Sequence, residues 1–296
     1  MTTLKDLEEA VRAGRALSSA EMARVAACPD LAMVGALAEA ARKKHHGDRV
    51  TFLRVCEWTG EGPLPDRGEA GEVRLTMTPE SIEAARAHVR DAVRLSAGVH
   101  LTGFCLGALL KLAGGDHLAL AEMARALKSE GLDGVAEVPI DVLGGAENVV
   151  ETVRAVRQGG LQATRATVSR AAFSARIGLI DTVEAAQRET GAFKAFAPLP
   201  RNDPHDQPST GYDDVRTIAL ARLGSAVPSI QVDWPLYGPK LAQVAIAYGA
   251  DDIDGVAVTD AAEAGRRRSP REEMVRHIQM AFARAAERDG RFDIRP

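Results

Sequence analysis

The sequence predicts an α/β fold: a (β/α) TIM-type barrel of about seven strands, either closed or slightly incomplete, that follows an N-terminal helical extension. Runs with strand character alternate with segments of helical periodicity from residue 49 onward. Such alternation is typical of a parallel sheet. The 296 residues are enough for one large barrel. We therefore expect a helical extension over 1–48 and the barrel with its C-terminal helix over 49–296.

The extension reads as helical throughout. Apolar positions recur at helical spacing in LKDLEEAVRAG, SSAEMARVAAC and LAMVGALAEAARKK. Ser18 and Ser19, before Glu21, are the candidate cap of the second helix, and Asp30 is that of the third, because a short polar side chain can accept hydrogen bonds from the first free amides of a helix. The extension is thus predicted to contain three helices.

Strands and helices then alternate along the barrel. The predicted strands are 49–56, 98–104, 132–138, 161–168, 193–199, 229–234 and 253–258. The predicted helices are 79–95, 117–130, 144–158, 170–189, 212–224, 238–248 and 270–288, the last with Pro270 in its first position. The segment 57–72 is rich in Gly, Pro and acids and predicts an exposed loop.

A doubly wound sheet is the competing interpretation. No GxGxxG follows the first strand and no GxxxxGK[ST] occurs in the chain, which weakens a nucleotide-binding assignment. The net charge of −4 gives no indication of a nucleic acid or an anionic membrane as a partner. There is no apolar run of about 18 residues, and the charged N-terminus is not a signal peptide. Three widely spaced cysteines favour reduced thiols and a cytoplasmic protein.

Seven stretches, in order, carry a resemblance to a known family. They are HHGDRVTFLRV (45–55), GVHLTGF (98–104), ALKSEGLDG (126–134), TGAFKAFAPL (190–199), TGYDDVRTIALARL (210–223), YGPKLAQVAIAYGADDIDG (237–255) and ERDGRF (287–292). They resemble the radical S-adenosylmethionine (SAM) enzymes of menaquinone biosynthesis, above all aminofutalosine synthase. The resemblance to dehypoxanthine futalosine cyclase and FO synthase is more distant. The fold that this resemblance implies is a radical-SAM TIM barrel.

The chain departs from that family in its cluster motif. The family's first strand leads into a CxxxCxxC loop whose thiolates hold a [4Fe–4S] cluster. Here that strand is followed by CEWTGEGPLPDRGEAGE, in which Cys56 is the one cysteine. Ala108 stands where the family has a glutamate, and EVPID (137–141) replaces its GGGAE. We therefore expect no [4Fe–4S] cluster, no use of S-adenosylmethionine, no other cofactor and no metal site.

Candidate site residues lie at the carboxyl ends of the predicted strands, which build the site in a TIM barrel. The candidate catalytic residues are Glu137, Asp141 and Asp233, and the candidate substrate-binding residues are Arg165, Thr167, Arg201, Asn202, Trp234 and Asp254. Arg165 lies in an otherwise small, apolar strand, and it either pairs with Glu137 on the neighbouring strand or binds an anionic ligand. Asp233 faces either the cavity or the solvent.

Two loops also carry polar groups. In the acidic turn at 250–254, Asp251 and Asp252 are expected to hydrogen-bond amides of the turn itself, and Asp254 to point toward the barrel mouth. The polar segment 198–212 lies where an active-site lid would lie. Its His205 is either a solvated loop residue or a group for acid–base or metal chemistry.

The sequence leaves two main functions open. The first is a non-radical, non-catalytic partner in menaquinone biosynthesis by the futalosine pathway, bound to a radical SAM enzyme of that pathway or to a second copy of itself. The second is an enzyme that uses acid–base chemistry on an anionic, chorismate-derived or nucleoside-like molecule in the barrel pocket. A mouth filled by Leu106 and Pro139 favours the partner. An open cavity on which Arg165 and carboxylates converge favours the enzyme.

Overall fold

The computed structural model describes residues 4–202, 209–258 and 271–296. Its centre is a barrel of parallel strands, closed because the first strand pairs with both the second and the eighth. The strands in chain order are β1 (Arg49–Trp58), β2 (Glu72–Leu75), β3 (His100–Cys105), β4 (Gly134–Pro139), β5 (Arg165–Val168), β6 (Ala195–Pro200), β7 (Ser229–Asp233), β8 (Asp252–Val256) and β9 (Arg284–Glu287). The predicted TIM-type α/β class is confirmed.

Helices surround the barrel and form the extension. The extension contains α1 (Lys5–Ala13), α2 (Ser19–Ala26) and α3 (Leu31–His46). The barrel helices are α4 (Ile82–Ser96), α5 (Leu106–Leu112), α6 (His117–Glu130), α7 (Ile140–Leu143), α8 (Ala146–Gln158), α9 (Arg176–Thr190), α10 (Gly211–Gly224), α11 (Trp234–Ala247) and α12 (Arg271–Met280). Within the described part of the chain, no helix combines the length and apolarity that a membrane crossing requires.

The three helices of the extension pack on the barrel helices. Ser18 and Asp30 cap α2 and α3 through side-chain hydrogen bonds, as the sequence predicted. Helix α3 packs against α10 and α11. Arg216 of α10 donates hydrogen bonds to the backbone carbonyls of Ala26 and Cys28, at 2.6 and 2.7 Å. Polar bonds and apolar contacts therefore both join the extension to the barrel.

The closed alternative is confirmed, but the expected number of strands was one too low, because β2 adds an eighth strand and closes the ring. It begins at the last residue of the segment predicted as a loop, and it is four residues long. Its sequence alternates charged and apolar residues, so hydropathy did not mark it as a buried strand. β1 pairs with it directly over Val55–Trp58. No helix separates the two strands, so β2 completes the ring without a helix between it and β1.

The chain end adds a further strand where a helix was predicted. In the described residues α12 ends at Met280, and Phe282 takes φ 57° as the chain turns into β9. The start of the ten-residue β1 pairs with β9, and its end pairs with β2. β9 therefore occupies the edge of β1 that the short β2 leaves open. The predicted helix start at Pro270 lies outside the described residues.

Candidate functional site

A cluster of charged and polar side chains fills the middle of the barrel. This central group consists of Glu72, Arg74, Thr102, Arg165 and Asp254. Arg74 of β2 donates to both carboxylate oxygens of Asp254 on β8, at 2.7 and 3.0 Å. Arg165 of β5 binds the same carboxylate. Because β2, β5 and β8 are not paired with one another, these bonds cross the barrel interior.

Glu72 completes the pairing of the central group. It accepts hydrogen bonds from Arg74 Nε at 2.7 Å and from Thr102 Oγ1 at 2.6 Å. Burial alone would raise the pKa of Asp254, but the charges of Arg74 and Arg165 outweigh it and hold that pKa well below its usual range. Two buried guanidinium groups thus face two buried carboxylates.

Of the two buried arginines in the central group, Arg165 has the weaker stabilisation of its charge by neighbouring carboxylates. Burial lowers the pKa of its guanidinium, and the neighbouring charge of Arg74 lowers it further. Its Nε and the Oγ1 of Thr167, two residues along β5, are buried without a hydrogen-bond partner among the described residues. The ion pair of Arg165 is with Asp254, so the predicted pairing with Glu137 was wrong. The two free polar atoms on one strand could bind an oxygen of a ligand.

A second cluster lies at the carboxyl ends of the strands. This mouth group consists of Cys105, Glu137, Arg201 and Asp233. Arg201 forms ion pairs with Glu137 at 3.0 Å and with Asp233 at 2.8 Å, so one guanidinium bridges β4 and β7. Asp233 is buried and also caps α11 by accepting the Leu236 amide at 3.2 Å, which excludes the solvent-facing alternative. Burial, together with the charge of Glu137, raises the pKa of the Cys105 thiol.

The remaining candidates make their contacts elsewhere. Asp141 accepts two successive backbone amides, beginning with Ser169, at 2.7 Å each, and so fixes the loop after β5. Asn202 donates to Ser169 Oγ at 3.3 Å. Trp234 is fully buried, with its ring centroid 5.5 Å from that of His277. The observed contacts of Asp141 and Trp234 are therefore structural, and they do not join the mouth group.

A third cluster, around the first residue of β8, consists of Thr51, Gln231, Asp252 and Arg288. Arg288, which follows β9, donates two hydrogen bonds of 2.7 Å to the Asp252 carboxylate. Gln231 and Thr51 donate to the same carboxylate at 2.6 and 2.5 Å. The prediction that Asp252 binds amides of its own turn was wrong, because its carboxylate lies inside the barrel and binds side chains of other strands.

The neighbouring acids of the turn also bind distant groups. Asp251 accepts hydrogen bonds from Arg222 at 2.8 Å and from the amide of Ile230 on β7 at 2.7 Å. His46 Nε2 lies 2.6 Å from its other oxygen. Asp254, expected at the mouth, is fully buried in the central group. The acidic turn therefore stabilises the barrel where β7, β8 and α3 meet.

His46 is expected to make the stability of this region depend on pH. Burial lowers the pKa of His46, but the adjacent Asp251 carboxylate and the Pro228 carbonyl, 2.7 Å from Nε2, outweigh burial and raise that pKa above its ordinary value. The stabilisation is then complete below about pH 6.5 and is lost as the pH rises through the raised value. The free energy of unfolding, measured in urea, should decline as the pH rises above about 6.5, and His46→Gln should flatten that decline.

The control for this prediction is the comparison of the wild-type chain with the His46→Gln chain over the same pH range. Burial lowers the pKa of the adjacent His45, which has the opposite effect on stability, but His45 is present in both chains. The difference between the two pH profiles therefore isolates His46. Parallel profiles for the variant and the wild-type chain would contradict the prediction.

The thiols do not form a set that fits an iron–sulfur cluster. Cys28 follows α2, Cys56 is buried within β1 and Cys105 ends β3. In the part of the chain that the structure describes, no three His, Cys, Asp or Glu side chains are arranged to hold a metal ion. A [4Fe–4S] cluster needs several thiolates that converge on it. These cysteines lie on separate elements and do not supply them.

Sequence reasoning missed three charged residues of the barrel interior: Glu72, Arg74 and Arg288. The signal for the first two was EVRL, in which an acid and a base stand two positions apart and so face the same side of a strand. Arg288 lies in ERDGRF, which was noted only for its resemblance. The predicted lid residue His205 lies outside the described residues.

Comparisons with known proteins give relatives at low identity. No family model matches the chain. A Methanosarcina barkeri protein named 5-amino-6-(D-ribitylamino)uracil–L-tyrosine 4-hydroxyphenyl transferase 2 is 25% identical over 260 residues, which are 77% of this chain and 66% of that protein. Its namesake from Methanosarcina mazei is 30% identical over 171 residues (48% and 44%). Aminodeoxyfutalosine synthase from Streptomyces coelicolor is 33% identical over 130 residues (36% and 34%). The chain thus spans less than two thirds of each relative.

Solved structures share the fold over almost the whole chain. Methylornithine synthase (PylB) superposes with a TM-score of 0.66 at 13% identity, covering 95% of this chain and 97% of that one. The hydrogenase maturase HydG from Carboxydothermus hydrogenoformans gives 0.69 at 10% identity, covering 96% and 79%. At these identities the likeness concerns the fold alone.

Together, the closed ring of parallel strands and these superpositions define a TIM-type (β/α) barrel. Over part of its length, the chain is similar in sequence to aminodeoxyfutalosine synthases and to the archaeal transferases. The predicted resemblance to aminofutalosine synthase is thus confirmed at low identity, but the chain resembles the archaeal 4-hydroxyphenyl transferases as well.

Proposed function

We propose that this chain is a radical-SAM-like barrel protein that performs no radical chemistry and acts as a non-catalytic partner in menaquinone biosynthesis by the futalosine pathway. The observation that carries the proposal is the pairing of charges inside the barrel. Arg74, Arg165 and Arg201 each bind a carboxylate of the chain itself, so each cation already has an anionic partner within the chain. Leu106 and Pro139 are buried beside the mouth, which also favours the partner over the enzyme.

The scattered thiols support the same proposal. Without converging thiolates, the protein holds no [4Fe–4S] cluster and does not cleave S-adenosylmethionine. The partner is a radical SAM enzyme of the pathway, with a second copy of this chain as the alternative. The low-identity match to aminodeoxyfutalosine synthases supports that choice. The net charge of −4 favours neither nucleic acid nor membrane, and the proposed location is the cytoplasm.

The experiment that tests this proposal mixes the purified chain with the aminodeoxyfutalosine synthase of the same cell. Sedimentation velocity measures complex formation, and product analysis measures the turnover of the synthase. We expect a complex of defined stoichiometry and a changed turnover, with an unrelated (β/α) barrel of similar size as the control. If the two proteins sediment independently at micromolar concentrations and the turnover is unchanged, the partner proposal is wrong.

The alternative is an enzyme that acts by acid–base chemistry on an anionic, chorismate-derived or nucleoside-like molecule. The free buried atoms Arg165 Nε and Thr167 Oγ1 favour it, because they offer two donors to one anionic group. Glu137 and Asp233 of the mouth group would then exchange protons with the ligand. Arg201 would have to leave these carboxylates to let the ligand in.

Native mass spectrometry of the chain from its own cell distinguishes the two functions. A bound anion that the chain converts into a product supports the enzyme, and a bound anion that stays unchanged supports the partner. Thr167→Val removes the hydroxyl at constant shape and should weaken binding of that anion. Thr182→Val, on the outer face of the barrel, is the matched control, since its hydroxyl donates to the Gly178 carbonyl of its own helix.

A further inference from the structure

A cleft on the outside of the barrel lies apart from the three groups inside it. It lies between α9 and α10, beyond the ends of β5 and β6, and holds about 400 Å³ of empty space, part of it open to solvent. The side of the cleft formed by the strand ends and α9 is apolar, with Val168, Leu179, Pro198, Leu199 and Pro200. Its polar groups come from the helices and their flanks: Arg176, Ser209, Asp214 and Thr217.

Arg176 is a cation without a carboxylate partner. Among the described residues no acid lies within 4.0 Å of its guanidinium. The guanidinium carbon lies 3.0 Å from the centroid of the Phe173 ring, and NH1 makes a long hydrogen bond of 3.4 Å to Thr217 Oγ1. Burial lowers the pKa of Arg176 to about 10, because nothing nearby fully compensates its charge. The planar fork of an arginine is well suited to a carboxylate.

Asp214 is the complementary group of the cleft. Its carboxylate is buried and accepts a hydrogen bond of 2.8 Å from Ser209 Oγ. No cation of the described chain forms an ion pair with it, and burial raises its pKa. Among the described residues, the cleft thus contains one cation and one anion that form an ion pair neither with each other nor with another side chain, although the charge of Asp213 partly offsets that of Arg176. Unpaired charges at a partly desolvated surface favour a ligand that supplies the opposite charges.

We propose that this cleft binds a free α-amino acid with an apolar side chain. Arg176 binds its carboxylate, Asp214 binds its ammonium group, and the wall of Val168, Leu179 and Leu199 contacts its side chain. A ligand with a single charge would leave either Arg176 or Asp214 unpaired, so a zwitterion fits this pattern better. The binding is non-covalent, and the residues that form the cleft are distinct from those of the three groups inside the barrel.

Isothermal titration of the full chain with L-leucine and with L-phenylalanine tests the proposal. We expect saturable binding that Arg176→Gln and Asp214→Asn each weaken about tenfold or more. Isocaproate, which is leucine without its amino group, should also bind about tenfold more weakly. Arg188→Gln is the matched control on the same helix, because Arg188 is exposed and pairs with Glu184. Arg176→Gln should fold normally, since it removes an unpaired charge.

Methyl NMR spectra give the place of binding. The resonances of Val168, Leu179 and Leu199 should shift together and saturate with the titration, and in a folded Arg176→Gln chain they should shift only at about tenfold higher amino-acid concentration or above. The proposal is wrong if neither amino acid binds saturably below about 10 mM. It is equally wrong if the shifts lie elsewhere, or if isocaproate binds as tightly as leucine.

Discussion

Replacing Asp254 with asparagine is expected to lower the free energy of unfolding by about 3–5 kcal/mol. The variant keeps the shape of the side chain but removes its charge. Arg74 and Arg165 would then remain buried with Glu72 as the carboxylate of the central group. Leaving a buried cation uncompensated costs far more than the ion pair contributes. Urea unfolding followed by circular dichroism measures the loss.

Two further variants keep this prediction specific. Asp6→Asn removes an exposed partner of Arg24, and its effect should be much smaller, because exposed ion pairs contribute little. Adding Arg165→Met to Asp254→Asn should recover part of the stability, since the remaining Arg74 and Glu72 neutralise each other. An Asp254→Asn chain within about 1 kcal/mol of the wild type would show that the central group is not a stabilising cross-link.

Replacing Arg288 with methionine is expected to cost a similar amount, about 3–5 kcal/mol. The substitution leaves the Asp252 carboxylate buried with only the neutral donors Gln231 and Thr51. It also removes the side chain that links the segment after β9 to β8. The same unfolding assay measures the effect, and hydrogen exchange of the β1 amides should accelerate because β9 pairs with that strand.

Arg291→Gln is the matched control for this second prediction. Arg291 lies three residues further along the chain, and its side chain is 44% exposed with a single long contact of 3.7 Å to Asp133. Its replacement should leave the unfolding midpoint nearly unchanged. Equal effects of the two substitutions would mean that the chain end contributes no specific buried contact.

The fold class was predictable because strand and helix periods alternate clearly, and the caps at Ser18 and Asp30 were predictable because they depend on local sequence. β2 and β9 were not. Both are four residues long, and both gain their stability from neighbours distant in sequence. The segment EVRL becomes a strand because it pairs with β1 and β3 and because Arg74 binds Asp254 across the barrel, which no local pattern can indicate.

The candidate site was predictable by residue type but not by partner. Glu137, Arg201 and Asp233 do meet at the mouth, since strand ends converge in a barrel. The partner of Arg165 was not predictable, because Asp254 lies on a strand that is not its neighbour. The same holds for Asp251 and Asp252: a turn composition suggests local hydrogen bonds, whereas their partners belong to α3, α10, β7 and the segment after β9.

Anaerobic reconstitution of the full chain with iron and sulfide tests the central claim of a barrel without radical chemistry most directly. Iron and sulfide are then measured per chain, and the products are analysed after S-adenosylmethionine and a strong reductant are added. The account predicts substoichiometric, loosely held iron and no 5′-deoxyadenosine. One [4Fe–4S] cluster per chain, together with formation of 5′-deoxyadenosine, would contradict it.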